Sequence, residues 1–323
     1  MIEKIELRQL AGAIAFSLLL SVSLFYLTLE VPRALDFLLR NFYPDLFFDV
    51  EAAREMIEML RPYALLALAA TALLIVIGFF MKRGFLSFLG AFSIYIPVFG
   101  YFAFAMFFLA GIGILRALWI PIMDLSPDVL KLGHVVLLPF IALSALLPSP
   151  MDSVVIMTIT LIVMYLGLLI FSLGVATWLY GKFRGFKLID FWIYRYSRHP
   201  QYLGYIMWSY GLLTYTCVMP YVRGALAIPP SFPWLISTMI VIGVALIEEM
   251  KMKIEMGERY LNYCKKTPFM LPLPRPLSRA LSMPLRLSSK VLHGGKRSVA
   301  LTLLIYIVLL MVLSFLVVSL LKL

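Results

Sequence analysis

Residues 298–321 read SVALTLLIYIVLLMVLSFLVVSLL, twenty-four positions without one charged side chain. As an α-helix rising 1.5 Å per residue this run is roughly 36 Å long, enough to cross the roughly 30 Å hydrocarbon layer of a bilayer. A backbone in lipid must satisfy its own hydrogen bonds, and the run lacks the period-2 alternation of a barrel strand, so a helix is the form open to it. Moving outward, residues 10–29, 62–81, 154–180 and 202–219 are apolar blocks of similar size, 132–147 is a shorter one, and 233–266 begins as another. Residues 85–120, with Pro97 and Gly100 inside, read as one kinked helix or two short ones. The chain of 323 residues is 63% hydrophobic and 14% charged, and its mean hydropathy of +0.97 excludes a pair of soluble domains. The expected fold is all-α, a multi-span transmembrane helical bundle of about eight spans.

The net charge of +11 is unevenly placed. Lys265, Lys266, Arg275, Arg279, Arg286, Lys290, Lys296 and Arg297 follow one another with no acid between them. Lys182, Arg184, Lys187, Arg195 and Arg198 stand against a single Asp190. Cytoplasmic loops collect Lys and Arg, so both stretches are assigned to that face, with the lipid bilayer as the partner and nucleic acid not expected. The connector at 220–232, containing Arg223, Pro229 and Pro230, then falls on the opposite side. Cys217 and Cys264 lie in separate segments and give neither a disulfide framework nor a metal pair. His134, His199 and His293 have no clustered thiols beside them, so no metal site is expected. His134 reads as a packed or interfacial histidine, and His293 as a loop residue.

The run 10–29 is too long for a signal peptide and no small-x-small cleavage site follows it, so it counts as the first span. Residues 30–61 are mixed-charge with Pro32 and Pro44 as breaks, and 51–60 pattern as an amphipathic helix outside the hydrocarbon. From Pro233 to Lys266 only Gly243 and Gly257 interrupt a helical pattern. A single helix of that length overshoots the membrane by roughly 20 Å, so its charged second half, from Glu248 to Arg259, must emerge into water. Residues 267–297 read as a proline-containing, basic, Leu-rich interfacial stretch. Three regions follow: 1–150, N-terminal spans of unknown role; 151–275, a membrane core; and 276–323, the interfacial segment and last span.

This topology brings the turn carrying Tyr194, Arg198, His199 and Tyr202 beside Glu248 and Glu249 at the membrane edge. Ionisable groups near a span are costly unless paired or facing a cavity, which makes the cluster a candidate site. The same charges also serve simply to end helices at the interface, and patterning alone fits both readings.

The residues Tyr194-Arg195-Tyr196-Ser197-Arg198-His199-Pro200-Gln201-Tyr202-Leu203-Gly204 resemble the Arg-His-Pro-x-Tyr-x-Gly signature of integral-membrane methyltransferases. Glu248-Glu249, then Gly257, Tyr260, Tyr263, Pro268 and Pro272, resemble the ending of isoprenylcysteine carboxyl methyltransferases, and phospholipid methyltransferases share much of this core. The likeness covers about residues 155–275. It implies S-adenosylmethionine as cofactor, in a pocket at the cytoplasmic edge of the bundle, and a lipophilic methyl acceptor, a lipid or lipidated molecule with a carboxylate or amine. Carried over by position, Phe186, Lys187, Leu188, Ile189, Tyr194, His199, Pro200, Gln201, Tyr202 and Glu248 bind the cofactor. Arg198, His199 and Glu249 take catalytic roles, and Trp208 and Tyr260 contact the acceptor.

The chemistry is consistent with that implication, because a carboxylate, an ammonium, ribose hydroxyls and a sulfonium each need a different partner. Arg198 and His199 suit the carboxylate, Glu248 the hydroxyls or ammonium, and the Tyr202 ring the sulfonium. A carboxylate acceptor needs no general base, whereas an amine must arrive neutral, with Glu249, Tyr260 or His199 as the proton acceptor. Two departures stand out. Trp192-Ile193 replaces the family's Gly-x before Tyr194, and Val244 stands where the isoprenylcysteine enzymes place a substrate-contacting arginine. The acceptor is therefore left open. Sterol reductases, which use NADPH and carry a related Arg-His-x-x-Tyr-x-Gly segment, are the alternative enzyme class, disfavoured by Pro200 and the paired glutamates. A transporter is the third reading, disfavoured by the nearly charge-free centres of the spans. Trp119, Trp178, Trp192 and Trp234 fit an aromatic belt, and oligomeric state is not legible.

Overall fold

In a computed structural model of the chain, residues 2–39, 50–95, 118–146, 152–218, 231–271, 273–291 and 295–321 are described, and every regular element among them is helical. In chain order the helices are α1 (Ile2–Leu39), α2 (Val50–Phe80), α3 (Gly84–Tyr95), α4 (Ile120–Met123), α5 (Leu138–Ala145), α6 (Asp152–Phe183), α7 (Pro200–Val218), α8 (Ser231–Met256), α9 (Glu258–Lys266), α10 (Arg275–Leu281), α11 (Met283–Val291) and α12 (Lys296–Leu321). A 3-10 stretch, Pro127–Leu137, precedes α5, and a 3-10 turn, Trp192–Arg195, precedes α7.

Five helices among the described residues are long and apolar enough to cross a membrane: Glu6–Leu27, Arg54–Phe80, Val154–Phe183, Ser231–Met256 and Lys296–Leu320. The chain is a multi-pass membrane protein, with fewer long apolar helices than the eight blocks the sequence suggests. Of 85–120, only α3 and the segment around α4 are described, and Pro97 and Gly100 fall outside. The block 132–147 is a 3-10 stretch running into the short α5, not one α-helix. The block 202–219 corresponds to α7, which carries Ser209 and Thr214 on buried faces. Helix α7 packs against protein on both sides, so its surface need not be uniformly apolar.

Three local expectations are corrected. Helix α1 runs on to Leu39 through Pro32, and α2 starts at Val50 and continues through Pro62 to Phe80, so 51–60 is the first part of a spanning helix, not a separate amphipathic one. Loss of one ladder bond at a proline is tolerated in long membrane helices. Pro44, the connector 220–230 and His293 lie outside the described residues. The expected single helix over 233–266 is two, because Gly257 sits at φ +53 and ψ −129, a conformation open essentially to glycine, and turns the chain from α8 into α9.

The tightest pairing is α6 against α7, where glycines let the backbones approach. A Cβ at Gly204 would lie 2.3 Å from the Phe171 nitrogen, and one at Gly167 would lie 2.3 Å from the Trp208 nitrogen. Trp208, Leu212, Leu213 and Val241 are the centre of a core shared by α3, α6, α7 and α8. Several contacts collect helix ends at one end of this bundle. Arg184 pairs with Glu6 at 2.7 Å, placing the start of α1 beside the end of α6. Lys296 Nζ donates to the Phe80 carbonyl, placing the start of α12 at the end of α2. Ser288 links to Thr302 at 2.6 Å and to Ser298 at 3.1 Å, holding α11 against the first turns of α12. At the other end, His134 Nδ1 lies 2.7 Å from Ser231 Oγ, and Val135 N–H donates to Ser314. The basic segments at 182–198 and 265–297 thus share the end where α7 begins and α8 finishes.

Candidate functional site

After α6 the chain makes an irregular turn that ends at Pro200, the first residue of α7, where the absent N–H costs no helical bond. His199 lies just before it, its N–H donating to Ser197 Oγ at 3.3 Å. Trp192 adopts φ +48, a left-handed form that favours glycine. Its ring stacks on Tyr180 at 5.1 Å and meets Phe191 edge-on at 5.3 Å. Trp192 therefore combines a backbone conformation that favours glycine with an aromatic stack.

Arg198 is the hinge pin of the site. Its Nε donates to Glu249 Oε1 at 2.5 Å, and its Nη1 donates to the carbonyls of Thr267 at 2.5 Å and Cys264 at 3.2 Å. Its own N–H donates to the Pro268 carbonyl at 3.1 Å. The ion pair is buried, with 11% of the Arg198 side chain and 6% of Glu249 exposed. Lys253 Nζ, one turn on, adds a second cation 3.5 Å from Glu249 Oε2. Arg198 thus ties the turn before α7 to α8 and to the segment after α9 through its Nε and Nη1 donors.

The neighbouring glutamate behaves differently. The Glu248 side chain is 47% exposed, and its Oε1 accepts from Tyr202 O–H at 2.7 Å. His199 lies between the two acids, Nδ1 3.9 Å from Glu248 and Nε2 3.5 Å from Glu249. Its Nε2 is buried and completes no hydrogen bond. The Tyr202 ring stacks on the imidazole at 5.7 Å and Phe269 meets it edge-on at 5.1 Å. Phe269 also lies 5.8 Å from the Arg198 guanidinium.

The remaining candidates form the rim. Leu188 packs with Tyr260 and Tyr263, and Ile189 against Gly181, while Phe186 and Lys187 are exposed. Tyr263 O–H donates to the Tyr194 carbonyl at 2.6 Å, closing α9 over the turn. Burial raises the phenols of Tyr194, Tyr260 and Tyr263 well above their ordinary value, and the nearby Glu249 charge adds to this at Tyr260. All three stay protonated. Gln201 and Pro200 occupy the first turn of α7 against Gly174 of α6, where a Cβ would lie 2.9 Å from the Gln201 nitrogen. Two expected acceptor contacts are buried: Trp208 is fully enclosed in the core, and Tyr260, on α9, is 3% exposed.

Sequence reasoning missed Phe269, Lys253 and the carbonyls of Cys264, Thr267 and Pro268. Phe269 stands directly after a motif proline, which was the one signal available; carbonyl acceptors leave no mark in side-chain identity.

Among known protein families, residues 137–267 match one described as "Protein of unknown function (DUF1295)". The matched segment is less than half of the chain, yet it holds both halves of the cluster, from the turn before α7 to the Thr267 carbonyl that Arg198 grips. No curated protein and no solved structure matches the chain. Among the described residues no group of three His, Cys, Asp or Glu side chains is placed to hold a metal ion.

Proposed function

We propose that the chain is a membrane enzyme that transfers a methyl group from S-adenosylmethionine to a lipid or lipidated acceptor. The observation that carries this reading is the convergence of His199 and Tyr202 with the half-exposed Glu248, side chains some fifty positions apart in sequence. The residues present suit the cofactor. A buried imidazole nitrogen without a hydrogen bond, a half-exposed carboxylate and two aromatic rings around the imidazole offer separate partners for its carboxylate, its ammonium or hydroxyls, and its sulfonium. When bound, it supplies an electrophilic methyl carbon, released to the acceptor oxygen or nitrogen as the carbon–sulfur bond breaks.

The protein's part in such a displacement is alignment and electrostatics. His199 and Glu248 bind from opposite sides, and Tyr202 fixes the Glu248 carboxylate. Arg198 and Glu249 act as positioning residues, since they pair with each other and are held further by backbone carbonyls and Lys253. A carboxylate acceptor then needs no base. For an amine acceptor, His199 is the group left to take a proton, because Tyr260 stays protonated and Glu249 is locked in its ion pair. The basic end of the bundle faces the cytoplasm in this reading, where the cofactor is available.

The test is calorimetric binding of S-adenosylmethionine and of its demethylated product to the purified full chain in neutral detergent. Binding by the parent protein that is abolished in Glu248→Ala and His199→Ala is expected. Binding of NADPH in their place, indifferent to both substitutions, would overturn the assignment. Incubating membranes with methyl-labelled cofactor and separating lipid, protein and small-molecule fractions then identifies the acceptor.

A further inference from the structure

Beside Glu248 the structure has a small cleft. The turn between α2 and α3 meets the last part of α8 around a cleft of about 140 Å³ lined by Lys82, Lys251, Glu248, Ser87 and two glycines, Gly78 and Gly84. A nucleotide-sized ligand needs roughly 300 Å³ or more, so this cleft is too small for the cofactor of the first site. It has the volume of roughly five water molecules, which matches the five heavy atoms of a phosphate group.

Its charge favours an anion. Its lining carries two lysines, Lys82 and Lys251, and one acid, Glu248, whose carboxylate already accepts from Tyr202. Lys251 lies only loosely against Glu255, at 3.7 Å on an exposed surface. Lys82 is held in an unusual way. Helix α2 ends with Arg83 N–H donating to the Gly78 carbonyl and Lys82 N–H to the Phe79 carbonyl, the closing pattern in which the residue after the helix adopts a left-handed form and is usually glycine. Here that residue is Lys82 at φ +58, so a long cation stands at the mouth of the cleft where glycine would be easier. Gly84 in turn admits no side chain without shift, since a Cβ there would lie 3.0 Å from Val244 and 3.7 Å from Glu248. Beside the two lysines, Phe80, Met81 and Phe85 expose 63%, 56% and 71% of their surface toward the side of the bundle. Basic groups over a small cleft, flanked by apolar side chains at a membrane edge, match the two ends of an anionic amphiphile.

We propose that this cleft is a binding site for the phosphate head group of an anionic bilayer lipid, held by Lys82 and Lys251 with its acyl chains along Phe80 and Phe85. The site shares Glu248 with the methyl-transfer reading but does not rest on it.

The test is calorimetry on the purified full chain in neutral detergent with three probes: dioctanoyl phosphatidic acid, dioctanoylglycerol and inorganic phosphate. Phosphatidic acid is expected to bind, and Lys82→Gly and Lys251→Gln are each expected to weaken it about fivefold. Lys82→Gly suits the left-handed turn, so its melting temperature will not fall, which separates lost binding from misfolding. Unchanged phosphatidic acid binding in the double variant, or equal binding of dioctanoylglycerol, overturns the site. Equal binding of inorganic phosphate overturns the bilayer source. None of these results depends on S-adenosylmethionine, so a failure of the first assignment shows separately.

Discussion

Arg198→Ala removes one member of a buried pair whose partner, Glu249, is 6% exposed. The carboxylate left behind keeps Lys253, 3.5 Å away and 45% exposed, and the His199 Nε2 at 3.5 Å. Stranding a buried charge in this way costs about 3–5 kcal/mol, and the carbonyls of Cys264 and Thr267 lose a charged donor as well. The full chain in maltoside micelles should therefore melt roughly 5–10 °C lower, followed by circular dichroism. The double variant Arg198→Met with Glu249→Leu carries no unpaired charge and should recover at least about 2 kcal/mol relative to the sum of the single losses. Arg198→Ala melting within about 1 °C of the parent, or strictly additive losses in the cycle, would refute the claim that this pair holds the turn before α7 to α8 and α9.

Gly204→Ala should cost about 2 kcal/mol, since the new methyl meets the Phe171 backbone nitrogen at 2.3 Å, and a melting curve measures it. At Trp192, with φ +48, glycine should replace tryptophan with about 1 kcal/mol less loss than alanine, the reverse of the order expected in a helix; equal melting temperatures for the two variants would contradict the left-handed assignment. Tyr202→Phe removes one hydrogen bond to a charged acceptor on a half-open surface, so S-adenosylmethionine affinity should fall about tenfold while the melting temperature moves by less than about 2 °C.

The parts of the fold that were readable in the sequence are those that the hydrophobic effect decides by itself. Residues 154–180 and 298–321 are apolar on every face and lie within two of the long helices, α6 and α12. Helix α7 was readable as an apolar block, yet it is not among the five long apolar helices, and its packing depends on Gly167 and Gly204 meeting backbones that are remote in sequence. The break at Gly257 was visible as a residue but not as a turn, because a glycine inside a helical pattern is compatible with either outcome until φ is known. At the cluster, the meeting of the Arg198–Tyr202 turn with the two glutamates followed from antiparallel topology. Which glutamate faces inward did not. Adjacent helical positions differ by about 100° in direction, and packing decided that Glu249 turns to Arg198 while Glu248 turns to the opening. The Lys82 cleft was illegible for a different reason: Lys82-Arg83-Gly84 reads as an ordinary positive end to a membrane span, and only the tertiary position of α8 gives it a facing carboxylate.

The grip of Arg198 on the carbonyls of Cys264, Thr267 and Pro268 has an evolutionary side. Every amino acid brings the same carbonyl, so mutation can exchange the side chains along that lip of the opening without undoing the clasp. Side chains along this segment can thus be rewritten residue by residue, while the arginine and its buried acid stay fixed as the latch.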